Sequence, residues 1–473
     1  MTPVHVAVIG GGVSGLAAAH RLRCLLGPHA TITVVEQSDR LGGKLRTVEL
    51  AGRSFDVGAE AFLHRRPEAA ELITELGLGD ELVHPTRAAA SIRAGGEVRP
   101  IPPHTLLGVP ASVETVRGVL SPDGVRRVAA EPTLPPIELG GADVALGALL
   151  RERFGPEVDD RLVGPLLGGV YAGRTASLGL RATMPQLATA LDSGVGSLLA
   201  AAATTMPAPP PHRAKRPPVF GTLRGGLSGL VRTLADTAKA EVRLGLPVRA
   251  LISRGTGWRL EIGSAASPEF LDVDGIVLAV PAPSARKLLA DVSPAASAHY
   301  GQVEVASMAV VALALPPGTV LPERSGVLLA EGERYADGTP FNAKAFTFSS
   351  RKWAHLDGDP VLVRGSIGRF GDTASLQRPD EDLVKAIRSD LAELTGITTA
   401  PIDTVVTRWG GGLPQYGVGH LDVVAGIEQA VAEVPGLAVA GATLHGVGVP
   451  ACIATADAAA ARVAAHVLGR LRR

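Results

Sequence analysis

Val4-His5-Val6-Ala7-Val8-Ile9 runs into Gly10-Gly11-Gly12-Val13-Ser14-Gly15, and a helical stretch follows over Leu16–Leu26. A short, almost wholly apolar run of this kind predicts a strand buried on both faces, as in a parallel sheet. The glycines fit G-x-G-x-x-G. Gly10 permits a tight turn, Gly12 lets the backbone approach a pyrophosphate, and Gly15 lets the helix pack close to the strand. The helix N-terminus then faces the phosphates. In a chain with 57 glycines such a pattern needs context, and the context is present. Thr31–Glu36 (TITVVE) reads as a second strand, and Glu36 ends it 21 residues past Gly15. A carboxylate there accepts hydrogen bonds from adenosine ribose hydroxyls and repels a 2′-phosphate, which disfavours NADP. The opening of the chain is a dinucleotide-binding βαβ unit.

Around this unit, 473 residues suffice for two or three domains. The chain is 46% hydrophobic and 19% charged, a globular composition. Forty-six basic residues balance 46 acidic ones, so nothing points to a nucleic-acid partner. Cys24 and Cys452 lie near opposite ends, which argues against a disulfide framework or a metal cluster. The 12 histidines show no H-E-x-x-H spacing, and no metal is expected. Met1 leads into the first strand without a basic segment or cleavage site. Apolar runs such as Val305–Leu315 stop short of the ~20 residues a membrane span needs. A soluble, cytoplasmic protein is expected.

Arg87–Pro110 mixes Gly-Gly and proline turns with short alternating stretches, and Val144–Ala203 reads as helical. Pro207–Pro218 is proline-rich and basic, an exposed loop or linker, with peripheral membrane contact as the alternative. Val242–Leu251, Trp258–Ile262, Gly275–Val280, Val303–Leu315 and Val361–Ile367 read as strands. Leu437–Ala442 is a further strand, followed by an Ala-rich helix over Cys452–Leu471. The expected fold is α/β, with a Rossmann-like (βαβ) domain, a mixed-sheet substrate domain and a helical insertion. Residues 1–90, about 219–285 and 410–473 form the nucleotide domain. About 91–206 form the helical insertion, and about 286–409 the substrate domain.

Two further glycine turns extend the site. Arg40-Leu41-Gly42-Gly43-Lys44-Leu45-Arg46-Thr47 places paired glycines and bases after the ribose carboxylate. This segment resembles one in FAD oxidases of the amine oxidase superfamily and favours FAD over NAD. Gly446-Val447-Gly448-Val449-Pro450, between the last strand and helix, can offer amides to an anion or to the polar edge of an isoalloxazine.

Across nearly its whole length the chain resembles the flavin-dependent porphyrinogen oxidases. The similarity is carried by Phe55–Phe62 (FDVGAEAF), Pro165–Gly173, Thr222–Leu227, Phe346–Trp353 (FTFSSRKW), Arg408-Trp409, Leu413–Tyr416, Gly419-His420 and Gly446–Ile453. Ile101–Pro110, FTFSSRKW and LPQYGVGH are most similar to the Gram-positive bacterial branch, which implies oxidation of coproporphyrinogen III to coproporphyrin III. By matching positions, the resemblance implies FAD contacts at Gly10–Gly15, Glu36, Gln37, Lys44, Gly58, Ala59, Glu60 and Ala61. It adds the Val248 backbone at the adenine, and Trp409, Val447, Gly448 and Val449 along the flavin. Ala59-Glu60-Ala61 and Ala456 depart from residues common in the family.

The implied chemistry is hydride loss from a meso carbon to flavin N5, three times over, with dioxygen reduced to hydrogen peroxide. Such chemistry asks the protein to position rather than to supply a nucleophile. His420 and His445 are accordingly expected to be structural. Four propionates call for basic partners, and Arg65 with Arg66, and Arg351 with Lys352, are the candidates. The alternatives are protoporphyrinogen IX oxidation, an amine oxidase or desaturase, and a non-catalytic flavin- or lipid-binding carrier.

Overall fold

The computed structural model describes residues 4–206 and 218–471. The proline-rich basic loop, Pro218 excepted, therefore lies outside the described residues.

The first strand, His5–Ile9, is almost completely buried beyond His5, as an apolar run between two neighbours requires. It lies at the centre of a five-stranded parallel sheet ordered Glu241–Arg243, Thr31–Val35, His5–Ile9, Gly275–Leu278, Leu437–Val439. These strands come from three separate stretches of chain. Helix Val13–Leu26 covers one face with Ser228–Ala238 and the C-terminal helix Val449–Leu471. On the other face pack a three-stranded antiparallel sheet (248–273) and the helices Ala282–Leu289 and Pro294–Tyr300.

A seven-stranded mixed sheet forms the second body. Its order is Asp403–Pro414, Val305–Leu315, Val361–Ile367, Ala343–Thr347, Gly326–Leu329, Ala90–Ala94, Glu97–Pro100. The pair Gly326–Leu329 with Ala90–Ala94 is parallel and the other pairs antiparallel. Helix Asp380–Thr395 backs this sheet with Leu383, Ile387 and Leu391. Helices between Val113 and Thr205 close a separate apolar core around Leu150, Phe154, Leu162 and Leu167.

Several expected boundaries move. Val242–Leu251 is not one strand: Gly245 at φ +69° and Pro247 break it, and its halves join different sheets. The chain enters the mixed sheet by Ala90, so the helices of the insertion begin only at Val113. Strand Asp403–Pro414 runs through the boundary expected near 410. Residues 282–300 pack on the nucleotide sheet, because their apolar faces meet Leu278 and Leu437. Val449–Arg470, with mean hydropathy 1.3, is long and apolar enough to cross a membrane, yet just over half of that stretch is buried. Ala456, Ala460 and Val463 of this helix belong to the core it shares with the first helix.

Close packing at the first turn contributes to the stability of this fold. A Cβ on Gly15 would stand 1.8 Å from the Gly10 carbonyl oxygen, which cannot yield. Gly15→Ala is expected to cost about 1–3 kcal/mol by overpacking, read from chemical denaturation, and to lower the bound flavin content. Unchanged stability and flavin content would contradict this packing.

Candidate functional site

The strand ends and the mixed sheet together bound one continuous cavity of about 1300 Å³. At one end lies the first glycine turn. Gly10, at φ +105°, bends the chain where a Cβ would meet the Ala279 carbonyl. The helix that follows starts at Gly12 without a side-chain cap, so its first N–H groups are open to an anion. A Cβ on Gly12 would meet nothing closer than Gly43 Cα at 3.9 Å, which leaves its backbone accessible. The second glycine turn docks against the first: Gly42 N–H donates to Gly11 O at 2.8 Å.

Glu36 lines the cavity beside this turn. Its Oε2 accepts from the Gly11 N–H at 2.6 Å, and its Oε1 from the Ser38 N–H and hydroxyl. Three donors fix the carboxylate and leave one of its roughly four acceptor sites for a ribose hydroxyl. Gln37, Ser38 and Val248 line the same end. Lys44 faces the cavity, and burial pulls its amine below the usual lysine range.

Gly58, Ala59, Glu60 and Ala61 line the next section. The Glu60 carboxylate is gripped by Lys352 Nζ and lies 3.4 Å from Arg364 Nη1. Burial pushes its pKa up, but Lys352 and Arg364 outweigh it and hold the group ionised below the usual range. Arg364 also donates to the Asp56 and Gly58 carbonyls. Trp409 closes one wall, its Nε1–H donating to Val57 O at 3.0 Å. Val447, Gly448 and Val449 face it from the start of the last helix.

Beyond Trp409 the cavity continues between Gly169 and Val170 on one side and strands of the mixed sheet on the other. Met308, Val310, Leu328, Lys344, Thr347 and Ser366 line this part. Lys344 is 4% exposed, and burial, reinforced by Arg369 and Arg364, pushes its amine down to about 7.

Of the residues expected at the cofactor, Gly11 and Gly15 lie behind the lining, one fixing Glu36 and the other packing on Gly10. The basic candidates are placed differently. Arg65 is exposed, and Arg66 is paired with Glu68 at 2.7 Å beside Gly446. Arg351 points to the Leu321 carbonyl and does not line the cavity. Lys352 is spent on Glu60. His420 stacks on Tyr416, ring centroids 3.9 Å apart, and contacts the Leu444 carbonyl, while His445 pairs with Glu428. Folding also gathers His20, Cys24 and Glu75, a trio that sequence spacing hid, outside the cavity. Lys344 and Arg364 went unnoticed in the sequence, where the signal was a lone charge inside an apolar strand.

The donor set suits a dinucleotide cofactor: an uncapped helix end, a ribose-directed carboxylate and a long lined trough. The profile described as flavin containing amine oxidoreductase matches residues 13–464. The chain belongs to that family. Coproporphyrinogen III oxidase of Mycobacterium leprae is 42% identical, covering 99% of this chain and 100% of its own length. The enzyme of that name from Bacillus subtilis is 32% identical over 96% and 97%. Protoporphyrinogen oxidase 1 of Arabidopsis thaliana chloroplasts is 25% identical over 94% and 85%. A crystal structure from Exiguobacterium sp. 255-15 matches with a TM-score of 0.84 at 29% identity, over 98% of this chain and 99% of that one. Cyclohexylamine oxidase from Brevibacterium oxydans shares the fold, with a TM-score of 0.70 at 18% identity over 100% of both chains. Family and donor set agree on FAD as the cofactor.

Glu36 is held in place by protein donors before any ligand arrives, so its replacement removes those bonds together with the ribose acceptor. Glu36→Gln is expected to weaken FAD binding about tenfold or more, as loss of a hydrogen bond to a charged group does, in a flavin-fluorescence titration. An unchanged Kd would remove Glu36 from the ribose site. Glu60→Gln leaves Lys352 and Arg364 without a counter-charge, and is expected to destabilise the protein by about 3 kcal/mol in urea unfolding.

Proposed function

We propose that this chain oxidises coproporphyrinogen III to coproporphyrin III, with FAD as cofactor and dioxygen as acceptor. The observation that carries this function is the cavity's length and its second half. About 1300 Å³ exceeds the ~300–1,000 Å³ usual for one small-molecule site, leaving room for a large substrate beside the cofactor. That half is lined by Val170, Met308, Val310 and Leu328 together with Thr347 and Ser366, and carries Lys344, which has no acidic partner among the described residues. An apolar macrocycle edged with carboxylates suits such walls. Full-length similarity to enzymes named for this reaction supports the same substrate.

FAD, when bound, supplies a two-electron acceptor, and three rounds with three O2 account for the six electrons and six protons lost as three H2O2. The chain's own residues position the reactants. Trp409, pinned through its indole N–H, forms a rigid wall, and Gly169, Val170, Leu328, Met308 and Val310 hold the ring's faces and exclude water. No histidine is among the described residues lining the cavity.

Purified chain loaded with FAD and given coproporphyrinogen III in air is expected to develop coproporphyrin fluorescence, with three O2 consumed per ring. Formation no faster than enzyme-free autoxidation would contradict the proposed function.

A further inference from the structure

We propose that Lys344 selects the substrate, by seating one inward-facing carboxylate at the deep wall of the cavity. This inference rests on the function proposed above and names the residue that separates a macrocycle with four propionates from one with two.

Lys344 is the second residue of strand Ala343–Thr347, and its side chain is buried while still lining the cavity. Its Nζ donates to the Gly168 carbonyl at 3.2 Å and lies 3.9 Å from Met308 Sδ. An ammonium has three donors, so two stay without a strong acceptor, one of them meeting only the weakly accepting Met308 sulfur. No carboxylate of the described residues pairs with it, and the charges nearest to it, Arg369 and Arg364, are of its own sign. Other cations near the cavity are paired or placed elsewhere. Lys352 and Arg364 share the single Glu60 carboxylate, and Arg364, which also lines the cavity, donates as well to the Asp56 and Gly58 carbonyls. Lys44 sits at the second glycine turn, at the cofactor end. Arg369 donates to the Leu329 carbonyl and is not part of the lining.

A buried cation without a partner is costly, and burial with two arginines has already driven this one to about 7. An incoming carboxylate would supply the missing charge, restore full protonation and fill the open donor site. Coproporphyrinogen III carries a propionate on each of its four pyrroles, so any edge that enters first brings a carboxylate inward. Protoporphyrinogen IX has vinyl groups on two pyrroles and can enter vinyl edge first, leaving Lys344 uncompensated. Attraction for one ring and an unpaired charge against the other act in the same direction.

FAD-loaded wild type, Lys344→Met and Lys344→Arg are compared on both porphyrinogens. Methionine removes a buried charge at similar volume, a change that folded proteins tolerate. In Lys344→Met, kcat/KM for coproporphyrinogen III is expected to fall at least about tenfold, chiefly through KM, while that for protoporphyrinogen IX holds or rises. Lys344→Arg should recover part of the loss. An equal fall on both rings, or no fall on coproporphyrinogen, would overturn the inference. Wild type inactive on coproporphyrinogen would instead overturn the proposed function. In that case, or if Lys344→Met fails to fold, fluorescence titration of wild type with coproporphyrin III and its tetramethyl ester decides. The free acid should bind at least tenfold more tightly than the ester, and Lys344→Arg should keep most of that ratio. Equal affinity for acid and ester would overturn the inference.

Discussion

The close backbone contact between Gly15 and Gly10 sets the geometry of the binding trough. With no Cβ at residue 15, the first helix begins directly against the turn that ends the first strand. Its open amides then face the cavity rather than a side-chain cap. The second glycine turn can approach because Gly12, Gly42 and Gly43 put backbone against backbone. Glu36 is fixed by an amide of the same first turn, so the phosphate-facing and ribose-facing groups are set by one local geometry. A binding trough built this way is rigid before its ligand arrives, which lowers the ordering cost of binding.

Charge within the cavity is distributed unequally, and the inequality has chemical meaning. Around Glu60, one carboxylate faces two cations and stays ionised despite its burial. Further in, Lys344 has only like-charged neighbours. The first arrangement is internally satisfied and holds strand Val361–Ile367 to the loop after Asp56. The second is satisfied only by something from outside. A protein that needs no nucleophile or triad, because a cofactor accepts the electrons, can devote its buried charges to orientation.

The βαβ unit was legible in the sequence because every signal for it lies within residues 4–36: strand, glycine spacing, helix and terminal acid. The C-terminal glycine turn was legible for the same reason, and Val447–Val449 do face the cavity. Lys352 pairs with Glu60, 292 residues away in the chain, and local pattern carries no information about that pairing. Lys344 in AKAFT and Arg364 in VLVRGSI were invisible for a related reason. A single charge in a strand reads equally as an exposed edge or a buried functional group until the neighbouring strands are known. Val242–Leu251 failed differently: its apolar pattern outweighed Gly245 and Pro247, although these two residues send the chain from one sheet to another.

Flavin stoichiometry of the purified protein is the decisive measurement for this site. One FAD per chain is expected, with the yellow colour and absorbance of oxidised flavin, released intact when the protein is denatured because the trough holds it without a covalent bond. Protein that stays colourless after reconstitution with excess FAD, or that takes up FMN equally well, would contradict a site built around a diphosphate and an adenosine ribose.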